Sequence, residues 1–186
     1  MMNLYIKNMV CSRCIWAVKN ILEEISIDFI YVELGVVRLN FNLTNEQKNK
    51  LNKKLKDLGF EILNDYQEKI IEKIKSIIIS RIQTTKYNNI NLSEEISQRL
   101  NKDYSFLSKL FSTTEGITIE QYIILQRIEK VKELLSYNEI SLSEISYLLN
   151  YSSLSHLSSQ FKRVTGLTPS QYKAKGLKLR KPLDKI

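Results

Sequence analysis

The feature that most constrains this chain is an internal repeat. Offset by 50 residues, the sequence matches itself at Ile90, Leu92, Ser93, Glu94, Ser105, Leu107, Ser108, Phe111, Gly116, Thr118, Gln121 and Tyr122. Their identical partners are Ile140, Leu142, Ser143, Glu144, Ser155, Leu157, Ser158, Phe161, Gly166, Thr168, Gln171 and Tyr172. Twelve identities within the 33 positions 90–122 indicate a duplication. Each copy reads as a short helix, a turn and a second helix. In the first copy Leu92–Leu100 is helical, Asn101 and Lys102 turn the chain, and Asp103 caps the next helix. Leu107 and Phe111 share one face of that helix, which leaves Ser105, Ser108 and Lys109 outward. The second copy has a helix over Leu142–Leu149, a turn over Asn150–Ser152 and a helix over Ser153–Thr165. Asn150 suits the turn because asparagine tolerates the left-handed conformation. Gly116 and Gly166 end the two second helices. Between the copies Thr118–Leu135 reads as one long helix that fixes their spacing. Two second helices about 34 Å apart would fit successive major grooves of B-DNA, so that one chain reads two adjacent half-sites.

Charge points the same way. Residues 1–65 carry nine Lys/Arg against eight Asp/Glu, whereas residues 66–186 carry nineteen against twelve, so the excess lies with the repeat. A basic region of this kind suits a polyanion. With 43% hydrophobic residues and only two prolines the chain can bury real cores. No apolar run approaches the roughly 18–20 residues of a bilayer span, and the first residues do not read as a signal peptide. The expectation is a cytoplasmic protein with no membrane partner. No paired carboxylates, phosphate loop or nucleophile–base constellation is present, so no enzyme is expected.

Ahead of the repeat the pattern changes. Leu4 and Ile6 begin a strand, and Cys14–Ile25 has helical spacing through Ile15, Val18, Ile21, Leu22 and Ile25. Ile30, Val32 and Leu34 alternate, as do Val37, Leu39 and Phe41, around a tight turn at Gly35. A helix from about Asn45 places Leu51, Leu55 and Leu58 on one face and stops at Gly59, and Phe60–Leu63 is a last short strand. This is the split βαβ order of ferredoxin-like folds. From Asp65 strand signals vanish. A helix over Tyr66–Thr84 carries the stripe Ile70, Ile71, Ile74, Ile77 and Ile78, and Thr84–Asn91 is a polar connector. The expected class is α+β. A ferredoxin-like βαββαβ domain spans 1–64, and an all-α domain with two helix-turn-helix units joined by a long helix spans 65–178. A basic tail follows over 179–186.

Cys11 and Cys14, the two cysteines of the chain, form a C-x-x-C where a strand gives way to a helix. A reducing compartment favours thiols here over a disulfide. Helix N-termini lower thiol pKa values, and thiolates grip soft metals. Two thiolates suit Cu(I); Zn, Hg and Cd are alternatives, though a tetrahedral Zn site needs outside ligands. His156, the one histidine, lies in the second repeat as a packing or DNA-facing side chain rather than a metal ligand.

The repeat resembles the DNA-binding domain of AraC/XylS-family transcription regulators, most closely over Ile145–Tyr172, with Phe161-Lys162-Arg163, Gly166, Thr168-Pro169 and Tyr172. The resemblance covers about 66–178. It implies seven helices, double-stranded DNA as partner, and base readers at Tyr104, Ser105, Ser108 and Lys109 in the first unit. In the second unit it implies Leu154, Ser155, Ser158 and Ser159. The family's usual Gly-Phe pair is Asn150-Tyr151 here, and a frequent Arg is Ser159. Serine discriminates bases poorly, so the second unit positions more than it specifies. Lys162 and Arg163, later on the same helix, suit phosphates.

Residues 2–64, with Met9-Val10-Cys11-Ser12-Arg13-Cys14 and Asp57-Leu58-Gly59-Phe60-Glu61-Ile62, resemble the heavy-metal-associated domain of copper chaperones and metal-pumping ATPases. The glycine that usually precedes the Met is Asn8 here. The resemblance implies metal at Cys11 and Cys14, with Met9 a core anchor, Phe60 shielding the site and Trp16 partly buried support. The combined expectation is a transcription regulator responsive to a soft metal, with a homodimer an open option and no metal required for the DNA-binding fold. The alternatives are a metal-trafficking or a thiol-redox protein whose helical part docks a protein partner.

Overall fold

The computed structural model describes residues 2–63, 66–84 and 91–175. The junction at Asp65, the connector over 85–90 with Ile90, and the basic tail over 179–186 lie outside the described residues. The fold is mixed α+β and mostly helical. It begins β1 (Met2–Lys7), α1 (Ser12–Glu24), β2 (Phe29–Glu33), β3 (Val36–Leu39), α2 (Asn45–Asp57) and β4 (Glu61–Leu63). Seven helices follow: α3 (Tyr66–Thr84), α4 (Leu92–Leu100), α5 (Tyr104–Glu115), α6 (Ile119–Tyr137), α7 (Leu142–Leu148), α8 (Leu154–Thr165) and α9 (Pro169–Ala174). No helix among the described residues is long and apolar enough to cross a membrane. The chain groups into two compact units, Met1–Ser80 with Ile90–Thr114, and Arg81–Asn89 with Glu115–Ile186. The first helix pair of the repeat therefore belongs with the sheet, and the second does not.

In the first unit the strands form one antiparallel sheet in the order β2-β3-β1-β4. Alternation sends Leu4 and Ile6 to one face, where they are buried with Val18 and Leu22 of α1 and Leu51 and Leu55 of α2. Tyr5 points to the other face. Its register partner Leu63 is buried there too, whereas Ile62, opposite Ile6, joins the first core. Helix α3 lies on this second face: Lys69 and Lys73 sit over the Tyr5 ring, and Ser76 reaches Gly35. Its stripe Ile70, Ile71, Ile74, Ile77 and Ile78 is buried, with Ile79 and Ile82 beside it.

Three side chains depart from the alternation and spacing read in the sequence, and a fourth, Trp16, from what the resemblance implies. Ile30 is exposed because β2 steps from Phe29 to Tyr31 while β3 steps only from Leu39 to Arg38; the bulge leaves Ile30 as the extra residue. Phe41 is exposed beyond the end of β3. Leu58 is 56% exposed, because α2 ends at Asp57 and the chain turns through Gly59 at φ 81° before Leu58 can join the Leu51–Leu55 face. Trp16 is 67% exposed rather than partly buried, since the inward face of α1 is filled by Val18, Ile21 and Leu22.

In the second unit α6 packs on α7, α8 and α9. Leu157 and Phe161 of α8 are fully buried, and the Phe161 ring meets Tyr172 edge-on at 5.4 Å. Side-chain caps start the helices where the repeat places them: Thr118 for α6, Ser141 for α7, Ser153 for α8 and Thr168 for α9. The turn between α7 and α8 carries Asn150 at φ 58° and ends each way on buried apolar residues, Leu149 and Tyr151. Tyr151 donates its hydroxyl to Gln160 Oε1 at 2.8 Å, and the Arg127 guanidinium lies 6.0 Å from its ring centre. Burial pushes the Tyr151 phenol up to about 12, with Arg127 opposing it. Burial lowers Arg127 in turn, Tyr151 opposing and Arg81 adding to it.

Two predictions follow from this packing. Gly59→Ala meets no atom within 4 Å and should cost about 1–2 kcal/mol for its left-handed backbone alone. Gly35→Ala, at φ 75°, brings a Cβ within 2.6 Å of Ser76 Oγ and should cost more; in a Ser76→Ala background urea unfolding should return it to the Gly59→Ala level. For Tyr151, the raised phenol means that the folded state resists an ionisation the unfolded chain undergoes. Its contribution is complete below pH 10 and is lost as pH rises from about 10 to about 12. The fall in melting temperature across that window should be smaller in Tyr151→Phe; an identical fall would show that Tyr151 does not titrate as its burial requires.

Candidate nucleic-acid interface and thiol pair

Helix α5 follows the left-handed Asn101, with Asp103 at its start, whose carbonyl accepts the Leu107 N–H. With Leu107 and Phe111 fully buried, the opposite face of α5 presents Ser105 and Lys109 to solvent, while Tyr104 and Ser108 are half-buried at its margin. Helix α8 repeats this. Leu157 and Phe161 are inside; Leu154, Ser155 and Ser159 are exposed and Ser158 is half-buried. Lys162 and Arg163 are exposed in its last turn, where positive charge also complements the helix C-terminus. Each of the two helices therefore offers a polar, small-residue face, to which α5 adds Lys109 at mid-helix and α8 adds Lys162 and Arg163 in its last turn. The serines carry hydroxyls that donate or accept, and the cations suit phosphates.

Sequence reading gave no site role to three residues near these faces, Lys102, Ser152 and Arg127. Lys102, in the first turn, sits 5.5 Å from the centre of the exposed Phe106 ring. Ser152 Oγ and His156 Nδ1 lie 3.0 Å apart at the start of α8, so the exposed histidine belongs to the turn surface. Arg127 backs the second turn through Tyr151. Lys102 had a signal, a cation inside a turn; the other contacts join residues whose meeting only the fold reveals.

The thiol pair lies on the loop from β1 to α1. Asn8 adopts φ 71° there and donates its Nδ2 to the Gly59 carbonyl at 2.9 Å, tying the loop to the chain just before β4. Met9 is 2% exposed and Phe60 is 7% exposed, both within the core. Cys11 is the N-cap of α1 and Cys14 lies in its first turn; the two half-buried sulfurs are 3.6 Å apart and form no disulfide. That separation is within the span of two sulfurs bound to one ion at about 2.3 Å each. No group of three His, Cys, Asp or Glu side chains able to hold a metal occurs among the described residues, so the donor set is the two sulfurs alone. Such a set fits a soft ion of low coordination number and not a self-contained tetrahedral site.

The lowered thiol expected at the helix N-terminus is not found at Cys14. Burial raises this thiol above its ordinary value, outweighing hydrogen bonds from the Val10 and Cys11 backbone, and the neighbouring Cys11 raises it further.

Residues 96–175 match the helix-turn-helix domain family. The probable transcriptional regulator LumQ of Photobacterium leiognathi is 29% identical over 112 residues, 58% of this chain and 43% of that protein. The xylose operon regulatory protein of Escherichia coli K12 is 36% identical over 69 residues, 37% of this chain and 18% of that protein. The chain spans less than half the length of these curated relatives. Among solved structures, the C-terminal domain of AraT, a response regulator from Geobacillus stearothermophilus, superposes with a TM-score of 0.52 at 23% identity, covering 61% of this chain and 90% of that one, a likeness of fold. These relatives are regulators by name and not enzymes. The C-terminal part of this chain thus matches the helix-turn-helix domain family over residues 96–175 and shares its fold with the C-terminal domain of AraT.

Proposed function

We propose that the chain is a transcription regulator that binds double-stranded DNA through α5 and α8 and responds to a soft metal ion, Cu(I) foremost, held by Cys11 and Cys14. The observation that carries the DNA reading is the duplicated outward face: in both copies the Leu–Phe pair is buried and the first serine of the same helix, Ser105 or Ser155, is exposed. Tyr104, Ser105, Ser108 and Lys109 contact one half-site and Leu154, Ser155, Ser158 and Ser159 another, with Lys162 and Arg163 on phosphates. The exposed Leu154 suits a thymine methyl.

The metal reading rests on the N-terminal 64 residues as a ferredoxin-like, heavy-metal-associated module. Its support is the order β1α1β2β3α2β4 with an antiparallel sheet β2-β3-β1-β4. Asn8 supports it too: a left-handed residue stands where the resembling domains have glycine, and Asn is the side chain that best tolerates that conformation. Cys11 and Cys14 would hold the ion as thiolates, and the ion would supply positive charge to this loop. DNA affinity changes only as far as the two DNA-binding states differ in their hold on that ion.

Two measurements test this. Duplex binding should weaken with salt, and Lys109→Ala, Lys162→Ala and Arg163→Ala should each reduce the salt slope by about 1. Binding without salt dependence would favour a helical part that docks protein. DNA affinity measured with and without Cu(I) should differ by about 5- to 150-fold in the native chain and not in Cys11→Ser/Cys14→Ser. Equal affinities throughout would remove the metal response.

A further inference from the structure

A cavity of about 110 Å³ in the first unit has no part in the reading above. It is lined by Tyr5 of β1, by Tyr66, Lys69, Ile70 and Lys73 of α3, and by Leu100 and Lys102 at the end of α4 and the turn beyond it. Three ammonium groups converge on it. Lys73 Nζ is 4.8 Å and Lys69 Nζ 5.7 Å from the centre of the Tyr5 ring, and Lys102 Nζ is 5.8 Å from that of Tyr66. All three lysines are half-buried, and among the described residues none pairs with a carboxylate within 4 Å. Elsewhere on α3 the ordinary arrangement holds, with Lys75 paired to Glu72.

Three like charges gathered in a partly desolvated recess repel one another, and ring faces offset only part of that repulsion. Burial raises the Tyr5 hydroxyl, but hydrogen bonds with Lys73 and Asn3 and the charges of Lys73 and Lys69 prevail and hold it below its ordinary value, the mark of a positive field. The size is decisive for the ligand. Organic ligands occupy about 300–1,000 Å³, so this recess admits a small ion with its water and not a metabolite of drug size.

We propose that this cavity is a binding site for an oxyanion of the phosphate class, gripped by Lys69, Lys73 and Lys102 and lined by the two tyrosines. Such an ion ties β1 and α3 to the turn that leads into α5. The phosphate is either free in solution or one of the DNA backbone, and the chemistry of the grip is the same.

The full chain without DNA is titrated with inorganic phosphate at constant ionic strength, chloride serving as the comparison, and the melting temperature is followed. A saturable rise with phosphate alone, retained in Lys73→Arg and weakened tenfold or more in Lys73→Gln and Lys102→Gln, establishes a site for the free ion. Removal of one of three repelling charges should leave both Gln variants folded, which circular dichroism checks. If free phosphate has no effect but both Gln variants flatten the salt dependence of duplex binding by about 1 each, the ligand is a backbone phosphate. Neither response in any variant overturns the proposal.

Discussion

Leu107 with Phe111, and Leu157 with Phe161, decide how α5 and α8 are turned about their own axes. All four side chains are fully buried, and burying each is worth about 1.5–3 kcal/mol. Turning either helix by one residue, about 100°, would forfeit that and bring serine or lysine inward at further cost. Nothing on the polar face competes: a surface ion pair contributes about 0–1 kcal/mol. The outward polar face is thus fixed by what lies behind it, which lets Ser105, Ser159 or Lys162 vary without altering the fold.

The same ordering of effects explains the thiol loop. A helix N-terminus favours the charged sulfur, and backbone N–H groups of this loop do point at Cys14. Burial nevertheless prevails, because the loop is pinned close to the core by Met9 on one side and by the Asn8 bond to Gly59 on the other. A loop held this way presents two sulfurs at 3.6 Å without needing a third ligand to organise it.

Much of this was legible in the residues. The repeat located both helix pairs, their stops at Gly116 and Gly166, and the left-handed Asn150, because these depend on local backbone preferences and on spacing along one helix. The isoleucine stripe of α3 was equally plain. The bulge at Ile30 was not, since strand register is set by the partner strand. Leu58 kept helical spacing but fell at a helix end, and Trp16, which the resemblance placed partly inside, lies on the outer side of a helix whose inner face is already filled. The lysine recess was invisible for a related reason: Tyr5, Lys73 and Lys102 are remote in sequence, and only the crossing of α3 over the sheet assembles them.

That crossing also bears on where the sheet can be cut from the rest of the chain. A sheet with helices on one side only would present a polar outer face, and residues 2–63 would suffice for it. Here Leu63 and the Tyr5 ring face inward against α3. A fragment ending near residue 64 would lay this surface bare and invite association, whereas one extended to Ser80 would carry its own cover. The smallest soluble piece containing the thiol pair is then longer than the strand-and-helix pattern alone suggests.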